Sequence, residues 1–168
     1  MTSNLNEKES TSLLANNYIG HLAYMHRDYS FMVPTTSYFD QKPPFIGYAT
    51  EGHKTKAMQK NNKVSLEVAE IKNANNWTAV LVPGNFVALS NTDAKGAFHK
   101  FSTGIKDLIL EKKERNLPFI SAFSNKTYHR ELPVVFKINI DKITGKSRIH
   151  ERCVSKKNNL YVLFKSLK

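Results

Sequence analysis

The sequence predicts a mainly β fold of the α+β kind, a six- to seven-stranded antiparallel barrel with a few helices. Three observations lead there. Short stretches rich in β-branched and aromatic residues follow one another closely, several with apolar residues at every second position. Only one long segment carries a helical period. With 168 residues, 40% of them hydrophobic and 11% aromatic, the chain can bury one core without disulfides or metals and is too apolar for wholesale disorder. A single domain over residues 1–168 is expected.

Residues 5–17 (LNEKESTSLLANN) place helix formers and Ser/Thr capping candidates ahead of a small apolar patch, so a short helix is expected, with its exit at Gly20. Ile19–Met25, Ser30–Phe39 and Phe45–Thr50 read as strands, separated by His26-Arg27-Asp28 and Asp40-Gln41-Lys42-Pro43-Pro44. This order suggests an antiparallel meander. From Gly52 to Asn62 the chain turns polar and helix-tolerant, before Val64, Leu66 and Val68 alternate with Ser65, Glu67 and Ala69 in a strand with one buried face. Trp77–Ser90 is a further strand or hairpin arm. Its Pro83-Gly84 pair predicts a bulge or bend, because Pro donates no ladder hydrogen bond and Gly weakens a strand.

One long helix is expected over 93–115, where Ala94, Ala97, Phe98, Phe101, Ile105, Leu108 and Ile109 recur at helical spacing behind Asp93 as N-cap. Leu117–Arg130 reads as a connection. Val134, Phe136, Ile138 and Ile140 mark another half-buried strand, and Leu160–Phe164 a short last one.

Composition narrows the function. No apolar run approaches the ~20 residues of a membrane span, and MTSNLNEKES lacks the basic and then apolar character of a signal peptide. A soluble, cytoplasmic protein without a membrane partner is expected. Cys153 alone cannot form an internal disulfide. The formal charge is +11, yet residues 1–100 hold 10 basic against 8 acidic side chains while residues 101–168 hold 15 against 6. A uniformly basic nucleic-acid-binding surface is therefore a poor description.

Most catalytic motifs are missing. His21 and His26 are five apart, on opposite faces of one strand, and no His, Cys or carboxylate cluster has ligand spacing, so no metal is expected. Neither a nucleophile elbow nor a Gly-rich dinucleotide fingerprint occurs. Thr144-Gly145-Lys146-Ser147 imitates the end of a P-loop but has Ile140 where that motif requires glycine, so it reads as a tight turn after a strand.

The informative stretch is Tyr48-Ala49-Thr50-Glu51-Gly52-His53-Lys54-Thr55-Lys56. A strand ends, Gly52 permits a tight turn with positive φ, and a polar helix begins with unpaired amides beside His53, Lys54 and Lys56. That combination suits a phosphate. It equally suits a solvated helix face with ordinary lysines.

Gly20-His21-Leu22-Ala23, the Met32-Val33-Pro34-Thr35 strand, and Glu51-Gly52-His53-Lys54 followed by Lys63-Val64-Ser65-Leu66-Glu67-Val68 resemble the pyridoxamine 5'-phosphate oxidase-like FMN-binding split barrels. The branch containing the nitroimidazole resistance proteins is the most similar. The resemblance runs from about Leu13 to Leu89, and the Val135–Lys146 strand resembles the family's last barrel strand. It implies a split barrel and a homodimer with FMN in grooves between the two barrels. Carried over by position, Lys54 with His53 would hold the phosphate, Met32, Val33, Pro34 and Thr35 would face the flavin ring, and Tyr48, Ala49 and Thr50 would line the same groove. Lys56 and Trp77 are further candidates, Trp77 by stacking across the dimer. His21 is read as structural. Where many members of the nitroimidazole branch have a His, this chain has Gly47-Tyr48-Ala49, so the resemblance does not extend to a histidine-assisted nitroreduction.

The resulting expectation is a flavoprotein oxidoreductase that reduces a small organic substrate, nitroreductase-like in type, with NAD(P)H as a candidate electron donor and no identified catalytic side chain. Two alternatives stay open. One is a polyanion or nucleic-acid binder using Lys142, Lys146, Arg148, Arg152, Lys156 and Lys157; the other is the same barrel carrying haem or a different flavin such as FAD.

Overall fold

A computed structural model describes residues 1–39, 44–112 and 134–149. Its elements are β1 (Thr2–Asn4), α1 (Glu7–Ala15), β2 (Ile19–His26), β3 (Tyr29–Tyr38), β4 (Phe45–Ala49), α2 (His53–Lys60), β5 (Lys63–Asn73), β6 (Asn76–Ala88), α3 (Asn91–Glu111), β7 (Val134–Ile140) and β8 (Thr144–Ile149). The strands run in the order β1-β8-β6-β5-β2-β3-β4-β7, and β6 also pairs with β7. That extra pairing closes six antiparallel strands into a barrel, as the alternating patterns predict. β8 and β1 extend the sheet outside it.

Period-2 alternation decides what is inside. Leu22 and Tyr24 of β2 lie opposite Leu66 and Val64 of β5, Val68 and Leu66 opposite Val80 and Val82 of β6, and Phe86 opposite Ile138 of β7. All nine are buried in one core, each contributing roughly 1.5–3 kcal/mol for a large aliphatic or aromatic side chain. Leu13 and Leu14 of α1 and Ala57 and Met58 of α2 join this core. A second core lies on the outer side of the barrel, where Phe101, Ile105 and Ile109 of α3 pack against Ile46 and Val135.

Several local expectations change. The N-terminal helix is capped by Asn6, whose Oδ1 accepts from the Glu9 amide at 2.9 Å while Glu9 Oε2 accepts from the Asn6 amide at 2.8 Å. That helix ends at Asn16. Gly20 is not its exit: it is buried in β2, where a Cβ would strike the Glu67 carbonyl of β5. The long helix starts earlier than predicted, with Ser90 at its N-cap and Asp93 inside the first turn, where a carboxylate still complements the positive helix end.

No bulge occurs at Pro83-Gly84, because β6 stays in register with β5 through both residues, and the register shift falls between Ile71 and Asn73. Pro83 sits instead where the other neighbour of β6 changes from β8, paired through Leu81, to β7, paired from Gly84. Its carbonyl accepts from the Asp141 amide at 3.0 Å, so the N–H that proline lacks faces the gap between those partners. Thr144–Ser147 is strand, not turn; it forms β8 and pairs with β1 and β6. The expected connection at 117–130 and the short strand at 160–164 lie outside the described residues.

Candidate functional site

β3 and β4 pair at only two positions, Ser37 with Gly47 and Tyr38 with Ile46. From Ile19 to His26, β2 pairs with β3, whereas Tyr48 and Ala49 of β4 pair with Val135 and Val134 of β7. The two strands therefore diverge beyond Ser37. Met32–Thr35 lie on one side of the opening and Tyr48–Thr50 on the other, with the first turn of α2 where β4 ends.

Strand alternation sorts the expected groove residues. Val33 packs against the inner core and Thr35 is buried, whereas Met32 and Pro34 point outward and are exposed. Val33 and Thr35 can thus offer a ligand on the outer face only their main chain. Ala49 is buried within the barrel. Tyr48 turns outward beneath α3, its ring centroid 5.4 Å from Phe101 and 6.4 Å from Phe98, and burial raises its phenol pKa. Thr50 is exposed.

The corner at α2 brings first-turn amides and Lys54 together. Gly52 does not use its freedom for positive φ; at φ 171° it is extended. Its amide donates to Thr55 Oγ1 at 2.9 Å, and the Thr55 hydroxyl donates back to the Gly52 carbonyl at 2.9 Å. The first-turn amides have no carbonyl to bond within the helix, and no acidic residue occupies that turn.

Lys54 is half-buried, on the stripe it shares with buried Ala57 and Met58, three and four residues on. Burial pulls its pKa below the usual lysine value. Among the described residues no carboxylate pairs with it. A partly desolvated ammonium without an acid gains from any anion that reaches it. Lys56, by contrast, is exposed.

His53 opens α2 and is fixed by rings. Its centroid lies 4.2 Å from that of His26 and 5.9 Å from that of Phe31. His26 is held below the usual histidine pKa by burial first, then by the positive neighbours His53, Arg27 and Lys60. The contact between His26 and His53 was not visible in the sequence, since nothing there fixes how α2 lies against β2.

Trp77 is not brought to this corner. It is half-buried in β6, opposite Ile71 of β5 and Arg148 of β8, with β5 and β2 between its strand and β3. Of the basic residues considered for a polyanion surface, Lys146 and Arg148 lie on β8 and Lys142 in the turn before it; Arg152, Lys156 and Lys157 lie outside the described residues. No helix among the described residues is long and apolar enough to cross a membrane.

Comparison with known proteins gives one family match: the model described as pyridoxamine 5'-phosphate oxidase covers residues 6–147. No curated protein matches the chain. Among solved structures, an FAD-binding protein from Mesorhizobium loti aligns with a TM-score of 0.64 and 19% identity over 89% of this chain and 98% of its own. A proposed 5-nitroimidazole antibiotic resistance protein from Bacteroides thetaiotaomicron aligns with a TM-score of 0.60 and 15% identity over 90% and 92%. An FAD- and haem-binding protein from Mycobacterium smegmatis gives a TM-score of 0.64 and 9% identity over 88% and 73%. At these identities the likeness is one of fold.

Proposed function

Because the chain belongs to the pyridoxamine 5'-phosphate oxidase family, whose model spans residues 6–147, we propose that it is a flavoprotein that binds FMN and reduces a small organic substrate. The observation that carries this reading is Lys54, a half-buried cation with no acid partner among the described residues, at the amide-rich start of α2. These groups fit a phosphate monoester: the amides donate hydrogen bonds, the helix end favours negative charge, and the ammonium neutralises it. His53 stands beside them. FMN ends in such a monoester, whereas FAD carries a diphosphate diester in its place, so FMN is the proposed ligand.

Met32 and Pro34 would lie along the ring from the outer face of β3, with Thr50 across the opening and main-chain groups of Val33, Thr35, Tyr48 and Ala49 completing the groove. When bound, the flavin supplies two-electron chemistry; the chain supplies binding, orientation and exclusion of water. NAD(P)H is the proposed electron donor, and nitro compounds are one class of acceptor.

The second barrel of a homodimer is proposed to cover the ring. Supporting this, Met32 (62% exposed) and Met25 (37%) are diagonal neighbours on the outer face of β3 and β2, with Ile19 (57%) further along β2 on the same face. Scattered exposed apolar residues are ordinary, but a contiguous set on one sheet face marks an interaction surface.

The test is spectroscopic. The purified protein, titrated separately with FMN, FAD and haem, is expected to acquire a flavin spectrum at one FMN per chain and to prefer FMN to FAD. A protein that takes up neither flavin refutes the reading, and uptake of haem alone would replace it.

A further inference from the structure

We propose that a pocket on the outer face of the sheet binds a planar aromatic ring through its primary carboxamide, held between Lys63 and Asp141. The cavity measures about 300 Å³. Its floor is a single row across three adjacent strands: Ala23 of β2 lies opposite Ser65 of β5, and Ser65 lies opposite Pro83 of β6. Met25 borders one edge. Two short side chains beside a proline ring form a shallow, mainly apolar slot, which suits a flat ligand.

The polar wall lies one row along. Lys63 is directly opposite Asn85 across β5 and β6, and Asp141 opens the turn between β7 and β8. This is where β6 exchanges β8 for β7 as its neighbour, so the pocket lies at a seam in the sheet. Asp141 is fixed there at two points. Its amide donates to the Pro83 carbonyl at 3.0 Å, and its Oδ1 accepts from Asn85 Nδ2 at 2.8 Å. Its Oδ2 faces Lys63, whose Nζ stands 3.7 Å away, beyond hydrogen-bond reach. With the Lys63 side chain 70% exposed and that of Asp141 50%, their mutual attraction is weak. A ligand that bonds both therefore loses little by entering between them.

Charge decides the ligand class. A cation on Asp141 meets the Lys63 ammonium, and an anion on Lys63 meets the Asp141 carboxylate, so each gains from one group and is repelled by the other. A neutral carboxamide is opposed by neither. Its carbonyl accepts from Lys63 Nζ and its NH₂ donates to Asp141 Oδ2, both charge-assisted bonds. A zwitterion also matches the two groups, but it gives up the hydration of two charges for an exposed pair that returns little. The binding site stands on these residues alone and needs no flavin. Two sources share the chemistry: a free aromatic carboxamide, and the nicotinamide of NAD(P)H, which alone rests on the electron-donor reading above.

The experiment follows backbone amide resonances of the full chain, with and without added FMN, as benzamide is titrated in. Saturable shifts are expected at Ala23, Ser65 and Asp141. Benzamide is expected to bind at least about tenfold more tightly than benzoate, benzylamine or phenylalanine. Lys63→Met and Asp141→Ala are each expected to weaken benzamide by about tenfold or more, as removal of a hydrogen bond to a charged group implies. They also re-sort the charged compounds: Lys63→Met is expected to prefer benzylamine to benzoate, and Asp141→Ala the reverse, a signature that a merely structural role would not produce. NADH separates the sources. Shifts by NADH at the same residues, reversed by benzamide, name the nicotinamide, and shifts by benzamide alone name a free carboxamide; both uphold the pocket. Absence of saturable shifts by benzamide, equal or tighter binding of any of the three charged compounds, or unchanged benzamide affinity in both variants overturns it. Those outcomes leave the flavin reading standing, and a chain that takes up no flavin leaves the pocket standing.

Discussion

The imidazoles of His26 and His53 meet edge to face, with ring centroids 4.2 Å apart and Phe31 against both. This contact ties the first residue of α2 to the end of β2, and so fixes the helix start that holds Lys54. It also makes the corner sensitive to acid. His26 titrates below its ordinary value of 6.5, through burial and then the positive charges of His53, Arg27 and Lys60. The folded state therefore binds fewer protons than the unfolded state as pH falls through that value. Stability is full above pH 6.5 and declines as pH drops toward the depressed folded value.

His26→Phe keeps a ring against His53 and Phe31 and removes the charge. Thermal melts between about pH 8 and pH 5 are expected to show a smaller fall in Tm for this variant than for wild type. Equal slopes would assign the acid sensitivity to other groups.

Lys54 acts with the same sign in the flavin-free protein, in a more alkaline window. Its pKa is lowered by burial, so keeping it charged opposes folding until pH rises through its folded value, after which the penalty fades. Lys54→Met is expected to raise the Tm of flavin-free protein at neutral pH, with the gain shrinking at alkaline pH. A lowered Tm would mean that the ammonium already has a stabilising partner.

Gly104 marks where α3 meets the barrel. A Cβ there would overlap the ring of Tyr38, so the helix can approach β3 this closely only with glycine at the contact. Gly104→Ala is expected to destabilise the fold by about 1–3 kcal/mol through overpacking, read from denaturant midpoints. A neutral result would mean that Tyr38 moves aside freely.

The outer face of β2 and β3 is the proposed dimer surface. Met32→Asp places a charge on the face that carries Ile19 and Met25 and is expected to convert the dimer to monomer in sedimentation, with weakened FMN binding in parallel. A variant that stays dimeric would locate the interface elsewhere.

Strands whose buried residues are large could be read from the sequence: Leu22, Tyr24, Leu66, Val68, Phe136 and Ile138 declare their strands by alternation. β8 could not. Its buried residues are Gly145 and Ser147, small because Leu5 and Ser10 crowd the first and Ser3 meets the second at 3.0 Å between hydroxyls. A strand that buries only small residues looks like a turn. The partner change at Pro83-Gly84 was equally hidden, because it depends on β7 and β8, distant in sequence. At the site, the Gly52-His53-Lys54 corner was legible from residue type and order. The facing of Met32 and Pro34 out and Val33 and Thr35 in follows from pleat, but which face carries a ligand depends on the divergence of β3 from β4. The approach of Lys63 to Asp141 required the register of β6 against β5 and β7.

Calorimetric titration of FMN into the wild-type chain and Lys54→Met tests the central claim most directly. The expected result is saturation at one FMN per chain in the wild type and affinity weaker by about 10- to 100-fold in the variant, the worth of one charge-assisted hydrogen bond at roughly 1.5–3 kcal/mol. Equal affinity in the two proteins would contradict the assignment of the phosphate to the start of α2, and absence of binding in the wild type would contradict the account as a whole.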